Sequence, residues 1–202
     1  NEITPENLVK LYDALGVAPQ GKVAVKISTG EAGGHNYLKP ELIGGLVSKV
    51  NGTIVECNTA YPGKRMTTES HLKVIEEHGF TAIASVEIMD AEGEIKIPVV
   101  DSTWIKYDKV GAGVANYDFM IDLAHFKGHG MGGFGGVLKN LSIGVASASG
   151  KAYIHSAGTT QSKALMWTHL PKGWTKKPEN NAPIIEAMAA AAQAVHNYYN
   201  AK

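Results

Sequence analysis

Cysteine is nearly absent: among 202 residues, Cys57 stands alone. That excludes an internal disulfide and an iron–sulphur cluster held by four cysteines of this chain. Charge excess is absent too. Lys plus Arg and Asp plus Glu both number 19, giving a formal net charge of zero, whereas a general nucleic-acid surface needs a basic surplus to meet phosphates. No apolar run approaches the roughly 20 residues that cross a bilayer. The opening residues are polar and lack a signal-peptide pattern, and the chain begins without a methionine, which reads as processing or as excision from something longer. These absences lead us to expect a cytoplasmic protein with neither membrane nor nucleic acid as partner.

Hydrophobic residues make up 44% and charged residues 19%, a globular composition with enough length to bury one full core. We therefore expect a single domain over residues 1–202. Two residue types are in excess. Glycine, at 23 residues, passes the usual level and contributes six of the nine positions 128–136. Of the eight histidines, three fall between 125 and 155.

Local signals set the elements. Thr4 as N-cap, Pro5 at the first helical position, apolar residues at Leu8, Leu11, Tyr12 and Leu15, and a stop at Gly16 predict a first helix. Lys22–Ile27 reads as a strand, 28–34 as a loop, Pro40–Val50 as a helix, and Gly52–Cys57 as the next strand. Thr67 or Thr68 caps a third helix that stops at Gly79, with His71 and His78 seven apart on a face compatible with solvent. Thr81–Glu87 and Ile95–Val100 read as strands joined by a turn at Asp90–Gly93. Asp118–Leu123 has the apolar content of a strand buried in a parallel sheet. Residues 141–149 are small and apolar, 170–178 form a loop, and Pro183–Tyr199 is a docked helix. Strands alternating with helices predict an α/β fold with a mostly parallel sheet flanked by helices.

Ligands of such sheets bind beyond the carboxyl ends of the strands. That rule selects the loops 28–36, 58–66, 101–103 and 124–136. The last is richest in chemistry: His125, Lys127 and His129 precede Gly132, Gly133, Gly135 and Gly136, and Lys139 follows. Glycines let backbone N–H groups approach an anion, lysines add charge, and neutral imidazole serves as base or metal ligand. The segment lacks the Lys-Ser/Thr ending of a P-loop and the acidic partner of a dinucleotide fingerprint. Elsewhere, Asn58, Thr59, Tyr61 and Glu31 are either ligand contacts or turn chemistry, and Lys64–Arg65 either meets an anion or is surface charge. Asp122 should lie nearer the site than Asp118. Cys57 reads as a small buried residue, and His35, His71, His78, His169 and His196 as structural ones.

From Lys127-Gly-His129 through Gly133-Phe-Gly-Gly-Val-Leu-Lys139-Asn-Leu, the chain resembles a widespread prokaryotic family of iron–sulphur-centre proteins. The resemblance extends through Thr29–Glu31, Glu56–Tyr61 and Ser147–His155. Many of those proteins carry a ferredoxin-like module with its own cysteines. With Cys57 alone, such a module is absent from this chain and would be a partner.

More distantly, Gly133–Lys139 is similar to a motif in the N-terminal domain of the nickel-pincer lactate racemases, which implies that domain's fold. By this resemblance His129 would be an acid/base group, Lys139 would hold a cofactor and His155 would ligate metal. His125 is a second metal candidate, Lys127 and the glycines would contact the cofactor, and Tyr61 or Lys64 would replace a catalytic histidine missing from 58–65. The implied cofactor is a metal ion such as nickel or a phosphate-bearing group. The function expected is a metal- or anionic-cofactor-dependent enzyme or redox domain acting on a small molecule; the alternative is a non-catalytic scaffold that docks an iron–sulphur electron-transfer module.

Overall fold

A computed structural model describes residues 2–171 and 180–201. Four parallel strands form the central sheet: β1 (Val23–Lys26), β2 (Gly52–Glu56), β3 (Val86–Ile88) and β6 (Phe119–Asp122), in the order β3-β2-β1-β6. Between them run α1 (Pro5–Ala14) ahead of β1, α2 (Pro40–Lys49) from β1 to β2, and α3 (Thr68–Glu77) from β2 to β3. The other face carries α4 (Val137–Val145), α5 (Ala148–His155) and α6 (Ala182–Asn200). The fold is therefore α/β, with helices on both faces of a parallel sheet.

Strand alternation assigns the two cores. Val23, Val25 and Ile27 pack with Ile43, Leu46 and Ile75 of the α2–α3 side. Ala24, Val55 and Cys57 pack instead with Val145 and the alanine-rich α6 face at Ala194 and Val195. The helix starts follow the expected chemistry. Thr4 Oγ1 accepts the Asn7 amide at 3.2 Å, Thr67 Oγ1 accepts that of Ser70 at 3.4 Å, and the stops Gly16 and Gly79 have φ of 65° and 84°.

Three expectations need correction. Residues 81–87 do not form one strand: Phe80–Ala82 is a 3₁₀ turn and β3 begins only at Val86, because Phe80 and Ile83 pack into the α2–α3 core before the chain reaches the sheet. Asp90–Gly93 is a turn, but it makes no hairpin with β3. β4 (Glu94–Ile97) pairs antiparallel with β5 (Asp108–Gly111), a strand the sequence did not suggest. Finally, His71 and His78 do not face solvent. His71 is fully buried, and the His78 ring stacks on Tyr37 at 4.3 Å while its Nδ1 meets the Thr29 carbonyl oxygen at 2.7 Å. The small apolar stretch 141–149 becomes the α4–α5 junction. The loop expected at 170–178 falls, from residue 172 on, outside the described residues.

The strand order places a topological switch at β1, where the chain turns from the β2 side to the β6 side. Crevices of α/β sheets open at such points. Here Ser28 follows β1, and Ala124 and His125 follow β6, on the wall of one cavity.

Candidate functional site

The cavity has a volume of about 300 Å³, enough for a small organic molecule. Three of the four selected loops reach it, through Ser28, Glu31 and Asn36, through Thr59–Tyr61 and Arg65, and through Ala124–Gly136. The loop at 101–103 does not, because the strand before it belongs to the separate β4–β5 pair. A second cavity of about 640 Å³ opens at the amino ends of the strands, and its charged lining is limited to Lys22 and Glu87.

The segment expected to be an irregular glycine loop is a short hairpin, β7 (Lys127–His129) against β8 (Gly133–Gly135), followed at once by α4. Gly133, with φ of 76°, makes the left-handed turn of that hairpin. Gly135, Gly136 and Lys139 then line the cavity, so the first turn of α4 borders it. Gly132 and Gly133 sit at the hairpin turn and are not on its wall. Of the other residues singled out, His125, Lys127, His129, Lys139, His155 and Tyr61 all line it.

The two principal histidines present opposite faces. His155, at the end of α5, has its Nδ1 2.7 Å from the Lys151 carbonyl oxygen. That nitrogen must donate, so Nε2 carries a lone pair suited to a metal or a proton. His129 Nδ1 instead accepts the amides of Met131 at 3.3 Å and Gly132 at 3.2 Å, which puts the proton on Nε2 as a donor. Burial, reinforced by the charges of Lys139 and Lys127, lowers His129 to about 4. Burial likewise lowers His155 to about 4, against the pull of its Lys151 hydrogen bond. Both are neutral at pH 7. His125 Nδ1 is buried with no hydrogen-bond partner among the described residues.

Cations dominate the lining. Lys26, Arg65, Lys127, Lys139 and Lys151 face only two carboxylates, Glu31 and Glu56. Burial, with Lys127 and Lys151 nearby, lowers the Lys139 amine to about 8, and burial also lowers Lys151, whose Nζ donates to the Ala146 carbonyl at 2.5 Å. Neither Lys127 nor Lys139 has an acidic partner within ion-pair distance among the described residues.

Three residues of this lining, Lys26, Glu56 and Lys151, were not legible as site residues, and a fourth, Arg65, was left between two readings. Lys26, only 1% exposed, ends β1, donates to Asn140 Oδ1 at 3.0 Å and lies 3.8 Å from Glu56. Glu56 ends β2 and meets His71 Nε2 at 2.7 Å and Thr29 Oγ1 at 2.9 Å. Burial raises its carboxyl, but the His71 hydrogen bond and the charges of Lys26 and Arg65 outweigh that and hold it well below the carboxylate range. Arg65, read as contact or surface charge, is buried between Glu56 and Glu31. Lys151 completes the set. A signal existed for two of them: a charge ending a strand as apolar as Val23–Ile27 or Gly52–Cys57 is buried only when paired.

Tyr61 donates to Glu31 at 2.6 Å, and burial raises its hydroxyl to about 12, so it is a donor at neutral pH. Asp122 accepts from Asn140, and Asp118 accepts the Lys22 amide at the far end of the sheet. Cys57 is buried and donates to the Val145 carbonyl at 3.2 Å; burial pushes its thiol up to about 12. Among the described residues, no group of three or more His, Cys, Asp or Glu is arranged to hold a metal ion, and no helix is long and apolar enough to cross a membrane.

No curated protein matches the chain. Among solved structures, the lactate racemase apoprotein from Thermoanaerobacterium thermosaccharolyticum is similar in fold, at 18% identity and a TM-score of 0.60 over 96% of this chain. The match covers 47% of that protein, so the chain spans about half its length. The family described as a domain of unknown function, DUF362, matches residues 23–201, and the chain belongs to it.

Proposed function

We propose that this domain binds an anionic small molecule or cofactor at the carboxyl ends of β1, β2 and β6, as the ligand-holding part of an enzyme. One observation carries the reading: five cations line the cavity, with Lys26, Arg65 and Lys151 buried and Lys139 half-buried, and both carboxylates there are already held by Arg65. Uncompensated buried charge is costly, and an anion relieves it. Lys139 is the anchor, with Lys127 beside it and the backbone of Gly135 and Gly136 close by. His129 offers Nε2–H to the ligand, and Tyr61 offers its hydroxyl. His155 Nε2 is the protein's base or metal donor, with His125 as the second candidate.

The residues fit a metal only in part. His155 supplies one well-oriented donor, yet among the described residues no group of three or more His, Cys, Asp or Glu could hold the ion. A metal here would be carried mainly by its own cofactor, and would supply Lewis-acid or redox chemistry. The likeness in fold to a lactate racemase apoprotein supports a cofactor-binding role, and the resemblance in sequence at Gly133–Lys139 suggests a metal such as nickel or a phosphate-bearing group.

A second reading rests on the cavity's rim, where Phe126 and Phe134 are 73% and 60% exposed with rings 5.4 Å apart. Such a pair suits a docking surface, and the family resemblance suggests a ferredoxin-like partner there. A scaffold alone, however, gives no reason for cations to converge behind that rim.

Calorimetric titration with inorganic phosphate at pH 7 tests the proposal. Wild type should bind, Lys139→Ala should weaken binding at least tenfold, and His155→Ala should lose any metal while keeping the phosphate. Unchanged phosphate affinity in Lys139→Ala, with His129→Ala equally silent, sinks it.

A further inference from the structure

The ion pairs at the mouth of the cavity do not form a closed structural network. Glu56 is satisfied without Arg65: it accepts from His71, from Thr29 Oγ1, and from the Thr29 amide at 3.2 Å, and Lys26 balances its charge. Arg65 Nη1 lies 3.4 Å from it, yet Arg65 is then a surplus cation. Its side chain is 9% exposed, and its Nη2 donates to Glu31 Oε1 and, at 3.1 Å, to the Tyr61 hydroxyl. Its Nε is buried and has no hydrogen-bond partner among the described residues. Nε and Nη2 are two prongs of one side of the guanidinium fork, the side that a carboxylate fills with both oxygens. Glu31 uses one prong only.

Glu31 has the character of a removable occupant. Its side chain is 54% exposed although it holds a buried arginine. Its loop is bounded by Gly30 and Gly33, with φ of 86° and 69°, and its carboxylate partners are Tyr61 and Arg65, both on the wall of the cavity. We propose that Arg65 is the carboxylate-binding residue of this cavity, and that Glu31 is a built-in stand-in displaced when a ligand carboxylate engages Nε and Nη2 together. Tyr61 passes from Glu31 to the ligand in the same exchange. The exchange swaps one negative charge for another, so the Glu56 pairing behind Arg65 is undisturbed. A tetrahedral dianion in the same place would set a second charge near Glu56. The ligand class is thus a small carboxylate whose far end points to Lys127 and Lys139.

This proposal rests on the cavity's being an anion site, and its test separates the two. The full chain, as wild type and Glu31→Gln, is titrated with malonate and with inorganic phosphate, and the Arg65 Nε–H resonance is followed in wild type. Glu31→Gln should tighten malonate at least tenfold and phosphate less than threefold, and malonate should shift the Arg65 signal. If Glu31→Gln changes malonate by less than twofold, or tightens both anions by the same factor, or if the Arg65 signal stays still in saturating malonate, the stand-in is wrong. Phosphate binding that still depends on Lys139 would leave the anion site intact in that case. Failure of both anions to bind either protein overturns both proposals.

Discussion

At the scale of single residues, placement decides chemistry that residue type leaves open. His129 and His155 are both neutral imidazoles on one cavity wall, but a backbone carbonyl holds one and backbone amides hold the other. One therefore presents a lone pair and the other a proton, and neither role was readable from spacing alone. Lys139 carries a pH dependence of its own. Its amine, lowered to about 8 from 10.5, is charged below that pH and neutral above it. Anion affinity should therefore hold up to pH 8 and then fall, by as much as about tenfold per unit. Titrations from pH 6 to 10 check this, and Lys139→Arg, charged throughout, should flatten the profile. Cys57 makes the opposite case. With its thiol raised to about 12 and buried, it should resist iodoacetamide in the native protein and react at the ordinary rate once urea unfolds the chain. Glu56 escaped notice, and Arg65 could not be told from surface charge, because charged residues are normally solvated. Only their distant partners, Glu31 and His71, reveal them as interior.

At the scale of elements, the fold was legible where a local signal exists. Thr4, Thr67, Gly16 and Gly79 bound their helices through contacts within a turn. β5 was not legible, since Asp108-Lys109-Val110-Gly111 is half charged and is a strand only through its pairing with Glu94–Ile97. That strand contains a stability switch. Among the described residues, neither Asp108 oxygen meets a well-placed donor, and burial raises the carboxyl from 3.8 to about 7 against the weaker pull of the Lys109 amide and Lys151. The native state thus keeps a proton that the unfolded chain releases above pH 3.8. The stability from this group is fully present below 3.8 and is lost as pH rises through 7. Urea denaturation of wild type should show that decline, at most about 1.4 kcal/mol per unit, and Asp108→Asn should abolish its share. The helix α5, which brings Lys151 and His155 to the cavity, depends on a close approach. A Cβ at Gly150 would lie 2.1 Å from the Lys109 carbonyl oxygen. Gly150→Ala should cost at least about 2 kcal/mol in the same assay, and should weaken phosphate binding by moving α5.

At the scale of the molecule, the parallel sheet explains why residues as far apart as Lys26, Arg65, Lys139 and His155 meet. Lys26 ends β1, Arg65 follows β2, Lys139 sits in the first turn of α4 and His155 ends α5, all on the wall of the cavity beside the switch at β1. Three of the four loops selected by the rule that ligands bind beyond the carboxyl ends of the strands border the cavity, and 101–103 does not, because its strand left the sheet. The chain spans about half the length of the racemase apoprotein it resembles in fold. The central claim, that the cationic cavity holds an anionic ligand on Lys139, is tested most directly by native mass spectrometry with metal analysis on the protein from its natural host. The account predicts a mass above that of the chain, lost in Lys139→Ala. A bare chain in both proteins, with no metal and no small molecule released on denaturation, would contradict it.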